Sequence, residues 1–508
     1  YTSFFLLRQK RVAYRASISL AILSLLSTLA LHRASYIAPI LLVIFIVWML
    51  RSRQLYTVRS DTVSMIAGTR ISLLIATLGF TYGTLSFLLL GPRFFHYHFT
   101  VQDAAVTSIK TLFTLNDAVA TTSRLGTLLT DSLATIGLAI YVLIFSSLFK
   151  PVRFAISADI GSRKRAEAIL REHSTSAEDY FKLWPRDKHY FFSSSGQSFL
   201  AYKLRGRTAF ILGDLSGIPS EFEALLADFL RFIHHNDWSM AAINATSLSE
   251  NLYTDMNALF IGNEAVIDTQ KYAEQTVHSK HFRYVLNKAA KEGLSVEMWS
   301  SVTTPQVNLL RKVSDDWLGR GGRKEYTFFM GYFSEEYLKS CQIMILRQNE
   351  HIIGYANLIP TFVEGEASID HFRSINDSPQ ISMHYLLSQL VLQLHEQHIG
   401  RLNIGLSPLS ENKQSDDTKL SLNDRLLGLF KRFGGRYYSF AGVEQFKNKF
   451  QPEWLPRYLY YEHSQAALLS VTRDLEMASR ASTALSGRIK VIIGIVGVLA
   501  FFVSIQFL

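Results

Sequence analysis

Asp370 and Arg373 stand three residues apart near the end of an alternating, strand-like stretch at 366–372. A carboxylate there can accept a proton or hold an ammonium group, and a guanidinium can grip a phosphate with its planar fork. The same pair also reads as a surface ion pair in a turn, and the local pattern leaves both readings open. Lys447 and Lys449 lie among aromatics in Phe446-Lys447-Asn448-Lys449-Phe450. An ammonium so placed can steady a developing oxyanion, with Lys449 the first choice and Lys447 its stand-in, although both could instead snorkel along a helix face or touch headgroups. Asp315 and Asp316 are paired carboxylates, candidates for contacts to a donor substrate, but adjacent residues on a helix point in different directions. Arg457, beside Tyr458, suits a structural or RNA-binding role, and Glu264 and Glu292 complete the site candidates. His371 and His384 read as satisfied core histidines, and the single cysteine, Cys341, as a packed thiol; one cysteine excludes an internal disulfide and any multi-cysteine metal site.

These residues need a scaffold that mixes strands and helices. Helical spacing recurs over 163–173, 219–235, 305–318, 334–347 and 382–398, with Phe222, Leu225, Leu226, Phe229, Leu230 and Ile233 the clearest stripe. Strands are predicted over 198–204 and 208–213, around the turn Arg205-Gly206-Arg207, and again over 240–244, 352–359, 366–372 and 401–406. The same grammar appears twice, which predicts two α/β subdomains at 151–300 and 301–480.

Around this middle region the chain is apolar. Its 508 residues are 48% hydrophobic, more than an average soluble domain needs, with a formal charge of +10. Such a balance favours an anionic partner, nucleic acid or an acidic headgroup layer. Runs at 16–31, 34–50, 71–90 and 132–149 approach or reach the roughly 20 residues that cross a bilayer. They predict a four-span transmembrane domain at 1–150, and a run at 491–508 predicts a C-terminal transmembrane helix at 488–508. The first run is not read as a signal peptide, because another apolar run follows almost at once. Arg8, Lys10, Arg11 and Arg15, then Arg51, Arg53 and Arg59, then Lys150, Arg153, Arg163, Lys164 and Arg165 fall on one side if each run crosses once. That side is read as cytoplasmic, giving a multi-pass protein of a prokaryotic cytoplasmic membrane with its large domain in the cytoplasm.

Between the third and fourth runs, 104–115 is too short to span and predicts a re-entrant helix. The order of elements over about 71–149 resembles the two-helix pore module of potassium channels, with Gln102-Asp103-Ala104 through Thr111-Leu112 at the pore helix. The family's filter is absent: Thr114-Leu115-Asn116-Asp117-Ala118 replaces its glycine-containing Thr-Val-Gly-Tyr-Gly. The segment is therefore read as an anchor or oligomerisation module, and a pore-type module favours a symmetric homo-oligomer. His96 and His98, without a third ligand, read as interfacial residues.

The middle region carries a family's motifs in order. They are Tyr190-Phe191-Phe192-Ser193, Ser198-Phe199-Leu200-Ala201-Tyr202, Gly213-Asp214-Leu215-Ser216-Gly217 and Ile261-Gly262-Asn263-Glu264-Ala265-Val266-Ile267-Asp268. Ser314-Asp315-Asp316-Trp317-Leu318, Asp370-His371-Phe372-Arg373, Leu402-Asn403-Ile404-Gly405-Leu406-Ser407-Pro408 and Phe446-Lys447-Asn448-Lys449-Phe450 follow, before Trp454-Leu455-Pro456-Arg457-Tyr458. The region resembles the catalytic domain of aminoacyl-phosphatidylglycerol synthases, a family that includes the multiple peptide resistance factor and phosphatidylglycerol lysyltransferases. The resemblance implies two fused acetyltransferase-like (GNAT) folds, an aminoacyl-tRNA donor, an anionic lipid acceptor, most simply phosphatidylglycerol, and neither metal nor cofactor. On that footing Asp370, Arg373 and Lys449 are the expected catalytic residues, and Lys447, Arg457, Asp315, Asp316, Glu264 and Glu292 the expected substrate contacts. The segment 375–381 lacks the glycines with which acetyltransferases cradle a pyrophosphate, so aminoacyl-tRNA is a better donor than a coenzyme A thioester. An acyltransferase with another acceptor, or a channel-like receptor with a ligand-sensing domain, are the alternatives.

Overall fold

The computed structural model describes residues 9–30, 37–58, 62–114, 123–148, 160–319, 330–408 and 440–462, with the single residues Leu6, Glu325, Thr327, Phe328 and Val471. The chain divides into two compact units, residues 1–155 with 230–238, and residues 156–229 with 239–508.

The first unit is helical: α1 (Arg11–Ala30), α2 (Ile37–Arg51), α3 (Thr62–Phe94), α4 (Val101–Thr114) and α5 (Arg124–Leu148). Among the described residues, three stretches are long and apolar enough to cross a membrane, Ile37–Leu55, Gly68–Phe94 and Arg124–Ile144. Helix α1 covers most of the run expected at 16–31 but, with Arg11, Arg15 and several serines, is not among them. The short helix expected between the last two spans is α4, 14 residues long, which packs on both α3 and α5. Glycines on α3 allow that approach: a β-carbon on Gly83 would lie 2.9 Å from Ser108 Oγ of α4 and from Leu133 Cδ2 of α5. Residues 115–118 of the filter position and the C-terminal run at 491–508 lie outside the described residues.

The second unit is mixed α/β. Its elements are α6 (Ile160–His173), β1 (His189–Phe192), β2 (Phe199–Arg205), β3 (Thr208–Leu212), the first part of α7 (Phe222–His235, divided between the units at Leu230), β4 (Ser239–Ala245), β5 (Asn257–Asp268), α8 (Thr269–Glu274), α9 (Lys280–Lys291) and β6 (Leu294–Trp299). They continue with α10 (Thr304–Gly319), α11 (Glu335–Lys339), β7 (Gln342–Gln348), β8 (His351–Leu358), β9 (Glu366–Ser374), α12 (Ser382–Glu396), β10 (Arg401–Pro408), α13 (Phe440–Asn448) and β11 (Glu453–Tyr461). Among the described residues, eleven strands form one sheet in the order β1-β2-β3-β4-β11-β5-β10-β9-β8-β7-β6.

Two halves repeat one plan. In each, an antiparallel meander (β1 to β3, then β6 to β9) leads through a helix (α7, then α12) to a parallel strand (β4 beside β3, then β10 beside β9). Strand β11, last in the chain, inserts between β4 and β5 and closes the two halves into a single sheet. Helix α12 buries Leu386, Leu387, Leu390, Val391 and Leu394 against the second half, the i, i+3, i+4 pattern of a sheet-covering helix.

The helix expected over 334–347 is corrected by the structure. Only Glu335–Lys339 is helical, capped by the Ser334 side chain, and Gln342–Gln348 is a strand. Ile343, Met344, Ile345 and Leu346 are all buried, because a central strand covered on both faces shows a continuous apolar run rather than alternation.

Candidate functional site

Parallel strands β9 and β10 stay paired only from Arg401↔Glu366 to Asn403↔Ser368. Beyond that point β10 carries a bulge between Asn403 and Leu406 and continues along β5, so the two strands part. Asp370 and Arg373 lie on β9 beyond the paired stretch, and Gly405 and Leu406 on β10 beyond it.

Asp370 is set by the segment before α11. Its Oδ2 accepts hydrogen bonds from the Gly331 amide at 2.9 Å and from the Tyr337 hydroxyl at 2.5 Å. Gly331 comes so close that a β-carbon there would sit 2.6 Å from Oδ2 and run into the Tyr337 ring. Burial raises the Asp370 carboxyl to about 6, and the two donors and Arg373 hold it from going further. Next to it, His371 is buried: its amide donates to Asn357 Oδ1 at 2.5 Å, and Nε2 lies 3.1 Å from the Gly331 carbonyl oxygen. Burial and Arg373 hold the ring well below its usual range, so it is neutral, in keeping with a satisfied core histidine.

Arg373 faces α10. Its guanidinium donates to Ser314 Oγ and, at 2.9 Å, to Glu325 Oε1, and lies 5.0 Å from the Trp317 ring centroid. Both terminal nitrogens are used within the protein, so Arg373 ties α10 and Glu325 to β9. Of this stretch it is Ser314, not the neighbouring carboxylates, that meets Arg373. Asp315 and Asp316 are exposed; Asp316 accepts from the Asn376 amide at 2.6 Å and so holds the turn after β9.

Helix α13 separates its two lysines. Lys447 is buried and donates to the carbonyl oxygens of Gly405 at 2.7 Å and Leu406 at 3.0 Å, within the β10 bulge. Burial lowers its ammonium to about 8 against the opposing pull of Glu178 and Glu264. Lys449 is exposed. Glu264 on β5 and Arg457 on β11 form a buried ion pair in mid-sheet, with Glu178 next to them. Burial and the charge of Glu264 raise the Glu178 carboxyl well above its usual range, while Asn244 donates to it at 3.2 Å. Glu178, Asn244 and Arg457 line a small cavity with Asp214 and Lys182 at the ends of β3 and β4. Glu292 is elsewhere, at the end of α9, 3.5 Å from Lys288.

Residues 166–461, more than half of the chain, match the family model described as phosphatidylglycerol lysyltransferase, C-terminal. The chain belongs to this family. It is 28% identical over 339 residues to phosphatidylglycerol lysyltransferase of Staphylococcus aureus strain MSSA476, covering 66% of this chain and 39% of that protein. Against phosphatidylglycerol lysyltransferase of Bacillus subtilis strain 168 the identity is 29% over 349 residues, covering 67% and 40%. The structure of L-PGS from Bacillus licheniformis superposes with a TM-score of 0.55 at 27% identity, over 64% of this chain and 98% of that one. The chain thus spans about two-fifths of the length of these curated relatives.

Within this phosphatidylglycerol lysyltransferase C-terminal domain, four residues around the candidate centres were not singled out from the sequence: Ser314, Glu325, Tyr337 and Glu178. Ser314 was within reach, because the buried stripe Val307, Leu310, Val313 and Ser314 of α10 follows helical spacing. The spacing of Val443, Phe446, Lys447 and Phe450 likewise turns Lys447 inward and Lys449 outward. Glu178 and Tyr337 carried no such signal, since chain segments far apart in sequence bring them to their partners.

Proposed function

We propose that the protein transfers an aminoacyl group from aminoacyl-tRNA to a hydroxyl of an anionic membrane lipid, phosphatidylglycerol by family analogy. The observation that supports this reading is the parting of β9 and β10, with Asp370 on β9, its carboxyl raised to about 6 by burial, and the buried Lys447 ammonium held at the β10 bulge. Exchange of one ester for another needs no energy source; it needs a proton acceptor, an oxyanion donor and alignment. Ionised Asp370 takes the proton of the lipid hydroxyl as its oxygen bonds to the ester carbonyl carbon. Lys447 uses two of its three donors on the bulge carbonyls, which among the described residues leaves one for the oxyanion. As the intermediate collapses, the bond to the ribose oxygen breaks and the proton held by Asp370 passes to that oxygen. Arg373 acts through position, holding α10 against β9, and Lys447 takes the role first given to Lys449.

The apolar helices of the first unit support a multi-pass anchor in a prokaryotic cytoplasmic membrane, and the basic clusters beside them support a cytoplasmic α/β unit, where charged tRNA and anionic headgroups meet. The decisive test supplies the purified protein with charged tRNA and phosphatidylglycerol vesicles. A ninhydrin-positive lipid is expected, abolished by ribonuclease treatment of the tRNA; no product with any charged tRNA and any anionic lipid overturns the proposal.

A further inference from the structure

Two charges of opposite sign lie within the apolar bundle of the first unit, Lys110 on α4 and Asp131 on α5. The packing of α4 and α5 on α3 fixes how deep they sit. A β-carbon on Gly83 would lie 2.9 Å from Ser108 of α4 and from Leu133 of α5, and one on Gly79 would lie 3.3 Å from Leu112 and 2.9 Å from Ile136. Ser108 and Leu133 therefore share a level with Gly83, and Leu112 and Ile136 share one with Gly79. At 1.5 Å per residue, Gly83 is about 16 Å along α3 from Phe94, where the apolar stretch Gly68–Phe94 ends. Helix α5 starts at that same end, since a β-carbon on Gly126 would lie 3.1 Å from the Phe94 carbonyl oxygen. Lys110, just beyond Ser108, is thus about 3 Å deeper than Gly83, and Asp131, just before Leu133, about 3 Å shallower.

Both side chains are exposed on the surface of the bundle, on faces that are otherwise mainly apolar. Val106, Ile109 and Phe113 accompany Lys110, and Leu128, Leu138 and Val142 accompany Asp131. Among the described residues, neither side chain has a hydrogen-bond or ion-pair partner. Hydrocarbon is a costly surround for either charge, so ionisable residues at such depth turn to protein or to a polar interior. A lipid phosphate does not answer both. It lies at the bilayer surface, too far for a lysine stem that starts near the middle of a core about 30 Å thick, and no anionic headgroup satisfies a carboxylate.

We propose that the exposed face of α4 in one copy of this chain packs against the exposed face of α5 in a second copy, with Lys110 bound to the partner subunit's Asp131. The charges are complementary, and their difference in depth, about 6 Å, is within the span of the flexible lysine stem. Apolar helix faces in lipid gain nothing from the hydrophobic effect when they meet, so a buried polar contact is what holds and orients such a pair. Copies in one membrane share one orientation, so a contact between two unlike faces repeats about an axis normal to the bilayer and closes into a ring. The inference rests on the membrane reading of the first unit and is independent of the transfer reaction.

The test counts subunits of the fluorescently tagged full chain by single-molecule photobleaching in phosphatidylcholine–phosphatidylglycerol vesicles, over a range of protein-to-lipid ratios. Wild-type protein is expected to assemble. K110D and D131K, each alone, should need a protein density about tenfold or more higher. The two variants reconstituted together in equal amounts restore opposite charges across the contact and should assemble like wild type, as should K110D/D131K. Wild-type protein that stays monomeric overturns the inference, and so do single variants that assemble as wild type does. Recovery by the double variant without recovery by the mixture shows a bond within one chain and overturns it as well. Failure of the membrane reading is seen separately, as wild-type chain that alkaline carbonate releases from membranes.

Discussion

The Lys447 ammonium lies 2.7 Å from the carbonyl oxygen of Gly405, inside the bulge where β10 leaves β9. The contact fixes a buried cation at the bulge where β10 leaves β9. Replacing Lys447 with Met removes the proposed oxyanion donor and the partner of two carbonyls. Aminoacyl-lipid formation should fall by about 10²–10³, whereas Lys449→Gln should keep most of it; equal losses would return the role to Lys449.

Transfer should follow a bell-shaped pH profile. In the proposed mechanism Asp370 works ionised, so rate should rise as pH passes about 6, and Lys447 works charged, so rate should fall as pH passes about 8. Tyr337 lowers the Asp370 carboxyl by donating to it, so Tyr337→Phe should move the acid limb to higher pH and leave the alkaline limb in place. The measurement is kcat/KM against pH for both proteins.

Asp370→Asn should keep the hydrogen bond from Gly331 and the fold, yet lose about 10²–10⁴ in rate, the usual contribution of a positioned base. A variant with full activity in the ninhydrin assay would remove Asp370 from the chemistry.

Gly331→Ala and Gly405→Ala should differ in kind. A β-carbon at Gly331 meets the Tyr337 ring and Asp370 Oδ2, so the segment must shift and transfer should collapse. At Gly405 nothing lies within 4 Å, and the only penalty is its φ of +80°, about 1–3 kcal/mol of strain visible as a lower Tm.

Arg457→Met strands the Glu264 carboxylate in mid-sheet and should destabilise the unit by about 3–5 kcal/mol. The double variant with Glu264→Gln should recover part of that loss in thermal unfolding. Recovery would mark the pair as a brace joining β5 to β11.

Local spacing made much of the site's framework legible. The alternation of 366–372 marked strand β9, and the stripe of α12 marked the covering helix, because each depends only on neighbours along the chain. Spacing failed at Gln342–Gln348, where burial on both faces erases the alternation that distinguishes a strand. Position along the helix also separates Lys447 from Lys449, yet both are lysines among aromatics, and the helix had to be known before its inner face could be.

By itself, the sequence determined the chemical inventory: a carboxylate, a guanidinium and two lysines in a mixed α/β region, joined to apolar runs and an excess of positive charge. Tertiary structure decided which of them work together. The bulge in β10, the insertion of β11 between β4 and β5, and the approach of Gly331 and Tyr337 to Asp370 all join residues far apart in sequence. The reason is physical: proton affinity and charge pairing are set by burial and by neighbours in space, and local pattern records only which face of an element turns inward.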